Sequence, residues 1–146
     1  MALFVDGALN TCNIIDLHDC KDTKQRLEFM SLNIGRIIEN LKPDHVVMED
    51  VSLQTNASTL ILLSRIQGAI IYACISENIK YTVYKPSVWR KILKFNQGKT
   101  VKRPELKKQA KDYVRNKYGI SSTEDVCDAI CIGEAFIKEN NFKERE

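Results

Sequence analysis

The sequence lacks the features that mark membrane, secreted and disordered proteins. No low-complexity tract occurs in its 146 residues, and 44% apolar with 28% charged residues is typical of a globular chain. The most apolar stretch, 60–75, contains Arg65 and other polar residues, so it falls short of the roughly 18 apolar residues that a membrane span needs. Asp6 interrupts the only apolar run near the start, which argues against a signal peptide. We therefore expect a cytoplasmic protein with no membrane partner.

The chain also lacks CxxC pairs, and His18 is the one histidine near any of its cysteines in sequence. This pattern argues against a zinc site and against a disulfide framework. Cys127 and Cys131 are four residues apart and would be neighbours on a helix, where core packing is favoured over redox chemistry. We interpret all five cysteines as reduced cytosolic thiols: Cys12, Cys20, Cys74, Cys127 and Cys131.

Charge is distributed unevenly along the chain, although the net charge is only +3. Between Lys85 and Lys117 there are twelve Lys and Arg residues against two acids, so this segment carries +10 and the remainder −7. Such asymmetry favours a surface that binds a polyanion. The alternative is a lysine-rich helix face that is simply solvated.

The hydrophobic pattern predicts an α/β protein with a single domain over residues 1–146. It begins with a hairpin that turns at Asp6-Gly7, with strands at 2–5 and 12–17. Two more strands are predicted at 45–48 and 81–84, the first of them as a buried central strand. The alternation of strands and helices implies a largely parallel sheet with helices on its faces.

Five helices are predicted, and the second is apolar on nearly every side. Such a helix needs more cover than a sheet provides, so we expect a partner helix or a subunit interface there. A polar loop at Gln54-Thr55-Asn56 precedes it, and a mobile turn at Gln97-Gly98-Lys99 separates the third helix from the fourth. Ser121 or Ser122 caps the last helix, with Glu124 or Asp125 in the reciprocal capping position. The predicted helices run from Asp22 or Thr23 to Pro43, and over 57–77, 86–94, 104–118 and 123–139.

Three acidic residues stand where a carboxylate is costly or chemically useful. Glu49 ends a buried strand, where open α/β sheets place their ligands, and Asp128 is the only charge in the apolar run 126–132. Asp125 lies three residues before Asp128, on the same helix face. A cluster of carboxylates favours Mg²⁺ or Mn²⁺ over zinc. Alternatively, Asp125 is a capping acid, Asp128 pairs with a lysine, and Glu49 merely ends a strand.

Four segments have an order and spacing that match one family over nearly the whole chain. They are Lys42-Pro43-Asp44-His45-Val46-Val47-Met48-Glu49, Arg65-Ile66-Gln67-Gly68-Ala69, Lys85-Pro86-Ser87-Val88-Trp89-Arg90 and Glu124-Asp125-Val126-Cys127-Asp128-Ala129-Ile130. With them the sequence resembles RuvC-type Holliday-junction resolvases, especially their phage and prophage members. The resemblance implies an RNase H-like mixed sheet flanked by helices and a homodimer that acts on branched DNA. It also implies four carboxylates that bind two divalent ions, Mg²⁺ or Mn²⁺, and no organic cofactor.

The resemblance identifies Glu49, Asp125 and Asp128 as three of the four catalytic, metal-binding carboxylates. The fourth belongs on the first strand of the family. Asp6 is one candidate, but residues 4–9 look more like the turn between the family's second and third strands. We therefore expect this chain to lack the first strand, by truncation or a misassigned start. Ser52 stands where some members carry an aromatic residue that stacks on junction bases, so junction opening is expected to be weaker or to use another residue.

The leading hypothesis is a metal-dependent, structure-selective DNA endonuclease that resolves four-way junctions by phosphodiester hydrolysis. One alternative is a catalytically impaired DNA-binding or assembly module of the same fold, and another is an RNase H-like enzyme acting on RNA or an RNA-DNA hybrid. Trp89 is interpreted as a core residue. Basic side chains are expected to contact DNA phosphates by charge: Arg90, Lys99, Lys102, Arg103, Lys107 and Lys108.

Overall fold

A computed structural model describes residues 1–52 and 56–140, so Gln54 and Thr55 of the expected polar loop lie outside the described residues. The described residues form two compact units, one of 1–14 together with the chain from Tyr84 onward and one of Ile15–Val83. The order of strands and helices confirms the predicted α/β class. The elements are β1 (Ala2–Val5), β2 (Ala8–Cys12), α1 (Thr23–Leu41), β3 (His45–Glu49), α2 (Ala57–Ser76), β4 (Lys80–Tyr84), α3 (Pro86–Ile92), α4 (Arg103–Tyr118) and α5 (Glu124–Glu139).

The first unit begins with the predicted hairpin, but the second strand starts earlier than expected. β1 and β2 are antiparallel, and the turn between them consists of Asp6 and Gly7, with φ angles of 51° and 83°. Positive φ at both positions is the geometry of the tight hairpin turn that favours Asp-Gly. Because only two residues form the turn, Ala8 pairs at once with Val5. The strand predicted at 12–17 is therefore wrong.

α5 is the central helix of the first unit. It packs against α3, α4 and the hairpin, and its residues Ile130, Cys131 and Ala135 are completely buried. The Phe4 ring of β1 lies so close to Gly133 of α5 that a Cβ atom there would come within 2.3 Å of the ring. Only glycine permits this approach of the hairpin to the helix. Trp89 of α3 is also fully buried, which confirms its predicted place in the core.

The second unit contains α1, α2, β3 and nearly all of β4. Asp22 caps α1 by accepting a hydrogen bond from the Gln25 backbone N–H at 2.8 Å. Lys42 ends that helix in a left-handed conformation, one residue before Pro43, as expected for a helix that stops before a proline. β3 pairs with β4 and with no other strand among the described residues. One edge of β3 therefore has no strand partner, and its five residues are half-buried rather than buried as predicted.

α2 packs against α1 yet leaves much of its apolar surface uncovered. Ile66 and Cys74 are its buried residues, whereas Tyr72 and Ile75 are 72% and 62% exposed. In the part of the chain that the structure describes, α2 is also the one helix long and apolar enough to cross a membrane. Core helices of soluble proteins satisfy the same criteria of length and composition, so this property is weak evidence for a span. α1 supplies the partner helix that the apolar sequence of α2 predicts.

Candidate functional site

The two aspartates predicted as metal ligands lie at the start of α5. The helix begins after Thr123, whose hydroxyl accepts a hydrogen bond from the Val126 backbone N–H, so the cap predicted at either preceding serine is wrong. Because Val126 occupies the third helical position, neither Glu124 nor Asp125 is the reciprocal capping residue, and this prediction is wrong. Asp125 is exposed and Asp128 is half-buried. Their spacing places both carboxylates on one face of the helix.

Asp128 brings a negative charge next to two buried thiols. Burial raises the pKa of Cys127 and that of Cys131, and the Asp128 carboxylate raises both further. Both thiols therefore stay protonated, and all five cysteines of the chain are free. The predicted core role of this pair is confirmed by its complete burial. The groups that this face of α5 can offer to a cation are thus carboxylate oxygens, the ligands preferred by Mg²⁺ and Mn²⁺.

The start of the hairpin lies near Asp125, whereas the hairpin turn does not. The Met1 ammonium donates a hydrogen bond to the Asn13 backbone oxygen at 2.7 Å. Burial lowers the pKa of this ammonium, while the nearby side chains of Cys12 and Asp125 act in the opposite direction. Asp6 lies at the far end of the four-residue strand β1, roughly 13 Å along the chain direction. The hairpin therefore separates Asp6 from the end of β1 that faces Asp125.

Glu49 is the last residue of β3, in the second unit. Its backbone oxygen accepts a hydrogen bond from the Gln67 side chain of α2 at 3.2 Å, and the residue is half-buried. Within residues 1–52 and 56–140, no three His, Cys, Asp or Glu side chains are grouped closely enough to hold a metal ion. The metal site formed by Glu49, Asp125 and Asp128 therefore stays a prediction.

α4 carries many of the predicted DNA-binding cations, and a buried carboxylate holds its C-terminal half on α5. Glu134 is only 5% exposed. It accepts hydrogen bonds from the Lys117 ammonium at 2.7 Å, from the Tyr113 hydroxyl at 3.2 Å and from the Tyr118 hydroxyl. A charge and two hydroxyl donors offset the cost of burying the carboxylate. These bonds fix how α4 lies on the helix that carries both aspartates.

The N-terminal half of α4 meets the start of α5 through ion pairs with Glu124. Lys107 forms one pair, and the Lys111 ammonium lies 3.8 Å from the other carboxylate oxygen. An open cleft of about 540 Å³ runs along this contact, and the predicted residues Arg103, Lys107 and Lys108 line it. Lys111 and Arg115 also line the cleft, although the sequence analysis did not single them out. Lys111 follows Lys107 by four residues and Arg115 follows Lys111 by four, a spacing that predicts a shared helix face.

Arg90 differs from the other predicted DNA-binding residues because it is partly packed. Its guanidinium carbon lies 4.9 Å from the centre of the Trp89 ring, and its Nε atom is buried with no hydrogen-bond partner in the described structure. The Trp89 ring contacts Phe95 edge-on, with 5.8 Å between ring centres, and Phe95 contacts Tyr113 in the same way. This row of rings joins α3 to α4. Arg90 is therefore held by the core of the first unit.

Lys99 and Lys102 are exposed in the segment between α3 and α4. The turn Gln97-Gly98-Lys99, which is predicted to be mobile, forms hydrogen bonds through Gln97 and Gly98. The Gln97 side chain donates to the Ser87 backbone oxygen, and the Gly98 backbone N–H donates to the Asn96 side chain, both at 3.0 Å. These bonds anchor the turn to α3. None of the ion pairs among the described residues includes Lys99.

Comparison with known families decides where the chain belongs. The sequence model of the family described as "Crossover junction endodeoxyribonuclease RuvC" matches residues 8–134. The chain belongs to the RuvC family. All four segments that carried the resemblance lie inside the matched residues.

Curated RuvC proteins from several bacteria are similar to this RuvC-family chain. The protein from Fusobacterium nucleatum is 30% identical over 113 residues, which cover 75% of this chain and 56% of that protein. The protein from Chlorobium phaeobacteroides is 30% identical over 76 residues, covering 52% and 41%. The chain thus spans about half the length of the curated relatives that it matches.

Solved structures of RuvC have the same fold. "T. thermophilus RuvC in complex with Holliday junction substrate" superimposes with a TM-score of 0.70 and 13% sequence identity, covering 93% of this chain and 80% of that chain. A second Thermus thermophilus RuvC structure gives a TM-score of 0.69 at 14% identity. These matches confirm the predicted RNase H-like fold.

Proposed function

We propose that this RuvC-family chain is a divalent-metal-dependent, structure-selective endonuclease that hydrolyses phosphodiesters of four-way DNA junctions. The observation that carries the proposal is the match of residues 8–134 to the family of crossover junction endodeoxyribonucleases. The solved relative bound to a Holliday junction supports it. Further support comes from the first unit itself, where the aspartates of α5 adjoin the cation-rich helix α4.

The proposed catalytic carboxylates are Asp125, Asp128 and Glu49. The donor set fits Mg²⁺ or Mn²⁺ because every ligand is a hard oxygen and because the two aspartates share one face of α5. Two such ions, when bound, supply an activated water and neutralise charge on the leaving oxygen. The role of the chain is to hold carboxylates at fixed positions on rigid elements. A further Asp on the family's first strand is proposed as the fourth ligand, since Asp6 lies at the hairpin turn.

The proposed role of the basic residues is to neutralise DNA phosphates. Such contacts carry no base information, so binding through them is independent of sequence and falls steeply with salt. Ser52 offers no aromatic ring to stack on a base, so recognition of the junction rests on backbone shape. The proposed contacts are Arg90, Lys99, Lys102, Arg103, Lys107 and Lys108.

We also propose that the protein is a cytoplasmic homodimer. Two opposed cuts across a four-way junction require two sites related by a two-fold axis. The uncovered apolar surface of α2 supports a subunit interface, and it is more simply explained by a second copy than by a membrane, because Arg65 and Gln67 interrupt the helix.

A second candidate function is a DNA-binding or assembly module without catalytic activity. It is favoured by one observation: Asp6, the aspartate of the hairpin, lies at its turn and not at the end of β1 near Asp125. Both candidates predict binding to branched DNA, so binding cannot separate them. Metal-dependent cleavage can.

The deciding experiment is cleavage of a labelled four-way junction with Mg²⁺ by this chain and by a version extended with an N-terminal strand that carries an Asp. The nuclease proposal predicts paired cuts by the extended version and little or no cutting in the presence of EDTA. Binding without cutting by both versions would favour the assembly module. Parallel reactions on a flap and on an RNA-DNA hybrid test the specificity for four-way DNA.

A further inference from the structure

The cleft between α4 and the start of α5 is lined by a row of cations. Arg103, Lys107, Lys111 and Arg115 recur every four residues, so they lie on one face of α4. A rise of 1.5 Å per residue gives this row a length of roughly 18 Å. One strand of B-DNA carries a phosphate every 3.4 Å or so of helix axis, so the row can follow several phosphates.

Two acidic side chains of the protein already line this cleft, Asp112 and Glu124. The Asp112 carboxylate lies 3.7 Å from the Arg115 guanidinium. The Glu124 carboxylate pairs with Lys107 and lies 3.8 Å from the Lys111 ammonium. The Glu124 side chain remains 40% exposed, so water and other anions reach the same cations.

We propose that this cleft is a phosphate-binding site for DNA and that Glu124 is its built-in competitor, which DNA phosphate displaces from Lys107 and Lys111. The inference rests on the proposed function, and it adds Lys111 and Arg115 to the DNA-binding surface. A carboxylate and a phosphate compete because both accept charge-assisted hydrogen bonds from the same ammonium groups. Glu124 directly precedes Asp125, so the exchange takes place beside the proposed catalytic face.

Glu124→Gln tests the proposal, with Glu105→Gln as a matched control. Both substitutions remove one negative charge from the same region of the first unit. Glu105 is exposed on α4 and lies about 160° around the helix from Arg103 and from Lys107, the cation that pairs with Glu124. At physiological salt, where the Debye length is about 8 Å, the control charge is largely screened from the cleft.

We expect Glu124→Gln to bind a labelled duplex and a labelled four-way junction roughly two- to fivefold more tightly than the unmodified chain, the range expected for loss of an exposed ion pair. The plot of log affinity against log salt should steepen by up to about one unit. Glu105→Gln should leave both quantities nearly unchanged. Equal behaviour of the two variants would overturn the inference.

Lys111→Gln supplies a second readout that does not depend on the first variant. It should weaken DNA binding, and in its presence Glu124→Gln should give a smaller gain, because the two residues act through one ion-pair network. Full additivity of the two changes would overturn the competitor role. Failure of the unmodified chain to bind any DNA would instead reject the proposed function, an outcome distinct from binding that ignores Glu124.

Discussion

Among single residues, Asp128 combines a negative charge with apolar neighbours. It lies half-buried on α5 between two thiols that are completely buried, in a run with no other charge. Burying a carboxylate costs free energy unless a partner or a cation compensates it. Burial raises the pKa of both neighbouring thiols, and the charge of Asp128 raises it further. Because Asp128 lies on the same helix face as Asp125, it is the best single point at which to test the proposed chemistry.

Asp128→Asn should reduce Mg²⁺-dependent junction cleavage by at least roughly a hundredfold, since even second-shell changes at metal sites cost 10- to 100-fold. Junction binding without metal should be equal or tighter, because the substitution keeps the shape and removes a charge that repels phosphate. Cleavage rates and binding constants of the extended chain measure both effects. Asp44→Asn, at an exposed position before β3, is the control and should change neither. A wild-type cleavage rate in Asp128→Asn would show that Asp128 is not a ligand.

At the scale of elements, the contact between the hairpin and α5 depends on a glycine at position 133. Gly133→Ala would place a Cβ atom 2.3 Å from the Phe4 ring. The ring has to move, so we expect a loss of about 1–3 kcal/mol in the free energy of unfolding. Gly68→Ala in α2, where no atom lies within 4 Å of the new Cβ, should instead add up to about 1 kcal/mol. Urea unfolding of both variants measures the difference, and shifts of the same sign would contradict the described contact.

A separate prediction concerns Lys108, which lies beside the cation row on α4. Lys108 is exposed and lines the cleft without an ion pair to Glu124 among the described contacts. Lys108→Ala should lower the slope of log affinity against log salt by roughly one unit, equally for duplex and junction. Lys24→Ala on α1 is the matched control, and its slope should not change. An unchanged slope for Lys108→Ala would remove it from the DNA-binding surface.

The ends of the helices could be predicted from the sequence because helix-breaking and capping residues act locally. Pro43 and Gly119 end α1 and α4 as predicted, and Gly119 adopts the left-handed conformation, with φ of 68°, that favours glycine. The second strand was predicted at the wrong residues because 12–17 has a β propensity as high as that of 8–12. Only the length of the turn, two residues, decides which of these segments pairs with β1. The cap of α5 was misplaced by one or two residues because three consecutive hydroxyl residues precede the helix.

The candidate site could be predicted from the sequence only in part, because some of its contacts depend on how the helices pack. The shared face of Asp125 and Asp128 follows from helical spacing and needs no tertiary information. The pairing of Glu124 with Lys107 joins residues 17 apart and depends on how α4 lies on α5, which buried Glu134 sets. No local pattern encodes that crossing. The position of Glu49 relative to the aspartates depends in the same way on long-range packing.

At the scale of the whole molecule, the uncovered apolar side chains of the second unit call for a partner. Tyr72 and Ile75 on α2 are joined by Phe29 and Leu32 on α1, which are 43% and 60% exposed. Large exposed apolar side chains on two packed helices favour an interaction surface, as contiguous apolar patches do in soluble proteins. A second copy of the chain is the occupant that the symmetry of a four-way junction favours.

We expect a dimer in sedimentation velocity at micromolar concentration. Tyr72→Lys should shift the equilibrium toward monomer, because a charge at a buried interface costs more than the lost contact. Val88→Lys on α3, a similar change at an exposed apolar residue of the first unit, should leave the dimer intact. A monomer at high concentration for the unmodified chain would contradict the proposed interface.

The burial of Trp89 also makes the chain its own spectroscopic reporter. It is the only tryptophan, it is fully buried, and it belongs to the first unit, so indole fluorescence monitors the melting of that unit alone. Far-ultraviolet circular dichroism, in contrast, records the long helices α1 and α2 of the second unit as well. If both signals change at the same denaturant concentration, the two units unfold as one cooperative domain. If the two midpoints differ, each unit has its own free energy of unfolding. The midpoint that rises when a DNA duplex is added then shows which unit the duplex stabilises.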